Sequence, residues 1–245
     1  MKGGAATYTR FELLRTLRST RFFLFSLVFP LILFYLIAGG SRHQKVQGIP
    51  LPLYFMTGMA AWGSMMAVVS TGARISGERQ TGWNRQLRIT PLTVSAYFRA
   101  KVLTGYLMAL LSIALLYGAG LTLGVHLSPT KWLTMTALIL IGLVPFNVLG
   151  ILLGHLLSTD AIGPAMGGIV SLFALFGGVW GPLGDKGFMH DVSQSLPSYW
   201  LVQAGRSALG GDLWPGKGWL VIGLWTAALF RLAARAYRRD TQRQM

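Results

Sequence analysis

The chain has 245 residues, of which 53% are hydrophobic and only 12% charged, with 31 glycines, 8 tryptophans and no cysteine. A soluble domain carries roughly twice that charged fraction, so the composition excludes an ordinary globular fold and points to an all-α integral membrane protein. The formal net charge of +15 would suit nucleic acid only if the basic residues formed a patch on a folded polar surface. Here they stand at the ends of apolar runs, and no nucleic-acid partner is expected. Without cysteine there are no disulfides and no thiolate metal sites.

Residues 1–21 set Arg10, Arg15, Arg18 and Arg21 among Tyr8, Phe11, Leu13, Leu14 and Leu17, with the single acid Glu12. Arginine stems can run along apolar surface while their heads reach phosphates, so this stretch reads as an interfacial helix. A cleavable signal peptide is disfavoured, because the basic lead is long and no clear small-residue cleavage site follows. Residues 22–40 are uncharged and cover about 28 Å as a helix, enough for a first span, with a kink expected at Pro30. Residues 51–73 form a second span containing Met56, Met59, Met65 and Met66.

Residues 76–101 are the longest polar interruption in the first half and carry Glu78, Arg79, Arg85, Arg88, Arg99 and Lys101. Trp83 and Leu87 stand four apart, and Pro91 is a stop signal, so a short helix is expected over 81–89. Further spans follow at 102–125, 132–157 and 161–184. Small-residue pairs at Gly120/Gly124, Gly150/Gly154 and Gly163/Gly167 would let helices approach closely. Asn147 is expected to make an interhelical hydrogen bond. Residues 185–217 are too polar to span, although Ser198 can cap and Gly210 can end a helix at the outer surface. A sixth span at 218–237 requires Arg231 and Arg235 to snorkel.

Charge supports six spans with both termini inside. Sixteen basic residues (Lys2, Arg10, Arg15, Arg18 and Arg21; the six of residues 74–101; Arg231, Arg235, Arg238, Arg239 and Arg243) then lie inside, against six outside. The chemistry for catalysis is thin. Seven acids and four scattered histidines (His43, His126, His155 and His190) offer no metal-ligand spacing and no reactive cluster at depth. The string from Gly211 to Gly218 nearly fits a phosphate-binding loop. It ends in Gly where Ser or Thr must reach magnesium, and no strand precedes it. The chain therefore carries no catalytic residues, no metal site and no cofactor site of its own.

Glu78, Gly82, Leu87, Pro91, Leu92 and Lys101 are spaced as in a loop of the type Glu-x3-Gly-Thr-x3-Leu-x3-Pro-Leu, with Trp83 where Thr is usual. Leu196-Pro-Ser-Tyr-Trp with Arg206 and Gly210 makes a second match. In these features and in its layout the chain resembles permease subunits of the type-2 ABC exporter family, similar to daunorubicin-type drug exporter permeases. The resemblance implies six transmembrane helices, an N-terminal interfacial helix, a cytoplasmic coupling helix after span 2 and an external re-entrant region before span 6. It implies a cell (inner) membrane protein with cytoplasmic termini that exports an amphipathic small molecule, antibiotic or lipid-linked cargo, with drug resistance as one role. The expected partners are two copies of a separate cytoplasmic ATPase, which would hold the ATP and Mg, a second permease chain, identical or related, and membrane lipids. Glu78, Gly82, Trp83, Arg85, Leu87, Arg88 and Pro91 would couple to the ATPase, and Met59, Trp62, Phe173 and Phe176 would line the substrate path. A non-transporting membrane anchor and an intramembrane enzyme are the competing readings.

Overall fold

The computed structural model describes every residue except 1, 21–23, 84–85, 87–89, 91, 185, 211–212 and 244–245. Helix α1 (Lys2–Leu17) precedes α2, in which a π-helical turn (Leu24–Val28) runs into an α-helix (Phe29–Ala38). The disturbance expected at Pro30 thus takes the form of a π turn just before it. Proline has no N–H to give, and the wider turn re-registers the chain around the gap. A two-residue hairpin follows, β1 (Lys45–Val46) with β2 (Ile49–Pro50). Then come α3 (Leu51–Ala73), the short α4 (Ile75–Gln80), α5 (Val94–Thr122), α6 (Pro129–Gly142), α7 (Val144–Leu156), α8 (Thr159–Gly177), α9 (Phe188–Gln194), α10 (Pro197–Gly210) and α11 (Gly216–Arg243).

Five stretches of described helix are long and apolar enough to cross a bilayer: Leu51–Gln80, Val94–Thr122, Pro129–Leu156, Thr159–Gly177 and Gly216–Asp240. Ser26–Ala38 is apolar but shorter. The centre of the bundle is α3, in which every residue but Leu53 and Ser70 is buried, as expected of a helix apolar on all sides. Its contact with α7 is close because both present glycine. A Cβ on Gly150 would stand 2.5 Å from the Val69 carbonyl oxygen, and one on Gly154 2.5 Å from that of Gly72. The Gly163 and Gly167 pair has no neighbour within 4 Å and lies on a largely uncovered α8. Asn147 is buried, but its amide nitrogen has no hydrogen-bond partner among the described residues, in place of the expected bond.

The third span starts earlier than its hydropathy suggests. Thr93 accepts from the Ala96 N–H at 3.3 Å and starts α5 at Val94, so Lys101 lies two turns inside a helix rather than in a polar loop. From Lys101 to Thr122 the helix rises about 32 Å, the thickness of a hydrocarbon core. These positions mark two ends of the bundle. At the far end, Tyr35 and Thr122 share a hydroxyl hydrogen bond of 2.9 Å beside the hairpin; at the near, loop end, the Tyr8 ring lies 6.0 Å from that of Tyr97.

Candidate functional site

Three helices meet at the loop end around Lys101. Its ammonium lies 2.5 Å from Glu12 Oε1 of α1 and 2.5 Å from Glu78 Oε1 of α4. The Arg15 guanidinium donates to the same Glu78 oxygen at 3.1 Å, and the Tyr97 hydroxyl donates to Glu78 Oε2 at 2.6 Å. Side-chain exposure is 0% for Lys101, 1% for Glu78 and 3% for Glu12, against 55% for Arg15. With Arg15 included, two carboxylates face two cations in direct ion pairs, and Arg74 adds a third positive charge nearby, around a dry centre. Burial first, and the Glu78 carboxylate next, push the neighbouring Tyr8 phenol well up from its ordinary range, so that ring stays neutral.

Local sequence explains the geometry. Glu12 and Thr16 fall one turn apart on α1, and Thr16 donates to the Glu12 carbonyl at 2.9 Å while accepting from Arg74 Nη1 at 3.1 Å. Arg74, the junction between α3 and α4, is thereby fixed to α1. Desolvating the ions offsets most of their mutual attraction, so the network adds little net stability. Removing a single partner would strand a buried charge. What it supplies is a fixed arrangement of α1, α4 and α5.

A second group secures the other side of α4. Arg79 Nε lies 2.5 Å from Asp240 Oδ2 on α11, an ion pair without hydrogen-bond alignment, and Asp240 also meets His155 Nδ1 at 3.0 Å. Arg79 Nη1 donates to the carbonyls of Gly154 (3.2 Å) and Leu157 (3.4 Å), satisfying the open carboxyl end of α7. Gln80 accepts from the Thr159 hydroxyl at 2.8 Å. Six residues of α4 are thus held by α1, α5, α7, α11 and the start of α8. Beyond them Gly82 takes φ +70°, a turn that a side chain would resist, and presents Trp83 at 39% exposure.

Of the residues expected to couple to an ATPase, Glu78, Gly82 and Trp83 are placed by the structure. Arg85, Leu87, Arg88 and Pro91, and with them most of the helix expected over 81–89, lie outside the described residues. The sequence reading puts Glu78 on a contact surface; the structure puts it at the centre of the buried network, because Lys101 and Tyr97 are carried inward on α5. Among the expected path residues, Met59 is enclosed in the core and Trp62 nearly so, edge-on to Trp180 at 4.9 Å. Phe173 and Phe176 are half-buried on α8, and Phe173 meets Phe146 at 5.2 Å. Gly218, of the string resembling a phosphate loop, packs against the Trp200 ring.

Sequence reasoning missed Glu12, Lys101 and Asp240 as partners. The available signal was their scarcity: with only seven acids in the chain, a carboxylate at the end of a membrane helix calls for a cation nearby.

Residues 51–235 match the family model described as "ABC-2 family transporter protein". The Bacillus subtilis (strain 168) protein named "Putative transport permease YvfS" is 27% identical over 234 residues, covering 94% of this chain and 95% of that protein.

Proposed function

This chain belongs to the ABC-2 transporter family as a membrane subunit, and from that premise we propose that it is the permease half of an ATP-driven exporter. A separate cytoplasmic ATPase, present as two copies and holding the ATP and Mg, grips the turn at residues 81–83 and the segment after it as a coupling helix. The chain crosses the cell membrane six times with both termini inside, and it works beside a second permease chain, identical or related. ATP-driven closure of the ATPases rocks the pair between inward-facing and outward-facing states and moves an amphipathic small molecule, antibiotic or lipid-linked cargo outward.

The observation that carries this reading is the mounting of α4. A six-residue helix fixed by two ion groups to most of the bundle, with an exposed tryptophan immediately beyond it, can transmit a push to the whole subunit. In this account Glu78 acts by holding the segment rather than by touching the ATPase. Arg85, Leu87, Arg88 and Pro91 supply the contact surface together with Trp83. The uncovered face of α8, with Gly163, Gly168, Leu172 and Leu175 exposed, supports a neighbouring permease chain. Phe173 and Phe176, on the same helix, are the path residues placed nearest that face, whereas Met59 and Trp62 would reach cargo only after α3 moves.

The test is purification of the chain in mild detergent from its native host, with mass spectrometry of what is retained. A stoichiometric soluble ATPase is the expected result. Recovery of the chain alone, under conditions that keep other ABC exporters assembled, overturns the reading.

A further inference from the structure

At the loop end, between the last turns of α7 and α11, lies an open groove of about 190 Å³ lined by Leu152, Leu156, Leu232, Arg235, Ala236 and Arg239. Its floor is apolar. Its rim carries two guanidinium groups one helical turn apart, and among the described residues neither makes an ion pair. Asp240, the acid next to them in sequence, is engaged by Arg79 and His155. Leu156 and Leu232 are 59% and 47% exposed, as apolar side chains that face lipid rather than protein would be.

The surface leading into this groove is ordered by depth. Leu224, Ala228, Leu232, Arg235 and Arg239 succeed one another at spacings of three or four residues on α11, and all are exposed. The first three span about 12 Å of helix, close to the roughly 15 Å of one leaflet's hydrocarbon; the two arginines follow at the level of Asp240, beside the loop-end ion groups. An apolar stripe of leaflet depth ending in two cations that make no ion pair among the described residues matches an acyl-chain lipid with an anionic headgroup. A free anion would use the arginines and leave the leucine floor in water. A zwitterionic lipid would bring its own cation against the pair.

We propose that this groove is a binding site for an anionic phospholipid, whose phosphate lies between Arg235 and Arg239 and whose acyl chain runs along Leu232, Ala228 and Leu224 against α7. Basic pockets between membrane helices at such an interface are suited to this recognition. The site rests on membrane insertion of the chain and is independent of the export reading. Occupied, it braces α11 against α7 next to the Asp240 contact with α4.

The experiment is native mass spectrometry of the full chain in neutral detergent, titrated with phosphatidylglycerol or with phosphatidylcholine. Wild type, R235Q/R239Q and R42Q/K45Q are compared, the last removing equal charge at the hairpin end. Wild type and R42Q/K45Q are expected to retain phosphatidylglycerol in preference to phosphatidylcholine. In R235Q/R239Q the affinity for phosphatidylglycerol falls about thirtyfold, at about a factor of five per surface charge. Equal retention by all three proteins overturns the proposal, as does equal loss in the two variants. Displacement of bound lipid by inorganic phosphate at matched concentration reassigns the groove to a free anion and overturns it too. Both exposed substitutions are polar for polar, and an unchanged thermal midpoint of each variant shows that the fold is retained.

Discussion

At the loop end of the bundle, α1, α4, α5, α7 and α11 are joined by charged side chains: Lys101 between Glu12 and Glu78, and Asp240 between Arg79 and His155. At the hairpin end the joints are aromatic rings, backbone carbonyls and one cation that, among the described residues, has no acid partner. There Arg206 donates to the Gly178 carbonyl at 3.0 Å and lies 4.2 Å from the centre of the Tyr54 ring, while Trp200 and Trp225 donate to the carbonyls of Gln194 (2.8 Å) and Ser195 (2.9 Å). Rings and carbonyls tolerate small displacements, because their attraction varies slowly with position. A dry ion network does not, since a shift that separates one pair leaves charges without solvent. The rigid end is the one bearing the exposed turn at Gly82 and Trp83, and the yielding end is the one facing away from it. Such an asymmetry suits a subunit that is driven from one side.

The largest effect should come from breaking the rigid end. Lys101→Met leaves Glu12 buried without its cation and Glu78 with only the exposed Arg15, and should lower stability by about 3–5 kcal/mol, read from unfolding in detergent. Gly150→Ala attacks the helix contact common to both ends. Its new methyl meets the Val69 backbone, and a loss of about 2 kcal/mol is expected in the same measurement. At the yielding end, Arg206→Lys keeps the charge but loses the planar contact with Tyr54 and should cost about 1 kcal/mol.

Two further variants sharpen the contrast. The triple change Glu12→Gln, Glu78→Gln and Lys101→Met removes every buried charge of the network together and should return stability to within about 1 kcal/mol of wild type. If transport is then lost while stability is regained, the network serves position rather than folding. Trp83→Ala, at an exposed site, should change stability by less than about 0.5 kcal/mol yet reduce ATP-dependent transport.

Hydropathy alone placed the second apolar helix at its observed bounds, 51–73, but began the third eight residues late and carried the fifth seven residues too far. It failed where polar side chains decide. Lys101 read as loop because a lysine between apolar runs is ordinarily solvated; its acid Glu12 stands 89 residues away in sequence, and no local pattern connects them. Thr93 as a helix cap, which carries Lys101 inward, is one threonine among several in that stretch. The close approach of α3 and α7 was legible at Gly150 and Gly154, whereas the same spacing at Gly163 and Gly167 faces open space, since spacing records the capacity for contact and not the neighbour. For Glu78 and Gly82 the sequence identified the segment, but burial, which separates a residue that holds from one that touches, is a tertiary property.

The most direct test of the driven end is site-specific photo-cross-linking in native membranes, with a photoreactive phenylalanine analogue at Trp83 and, as control, at Phe188, which is 80% exposed on α9. The account predicts an adduct from position 83 to an ATP-binding chain and none from position 188. No adduct from position 83 in transporting cells, or equal adducts from both positions, would contradict it.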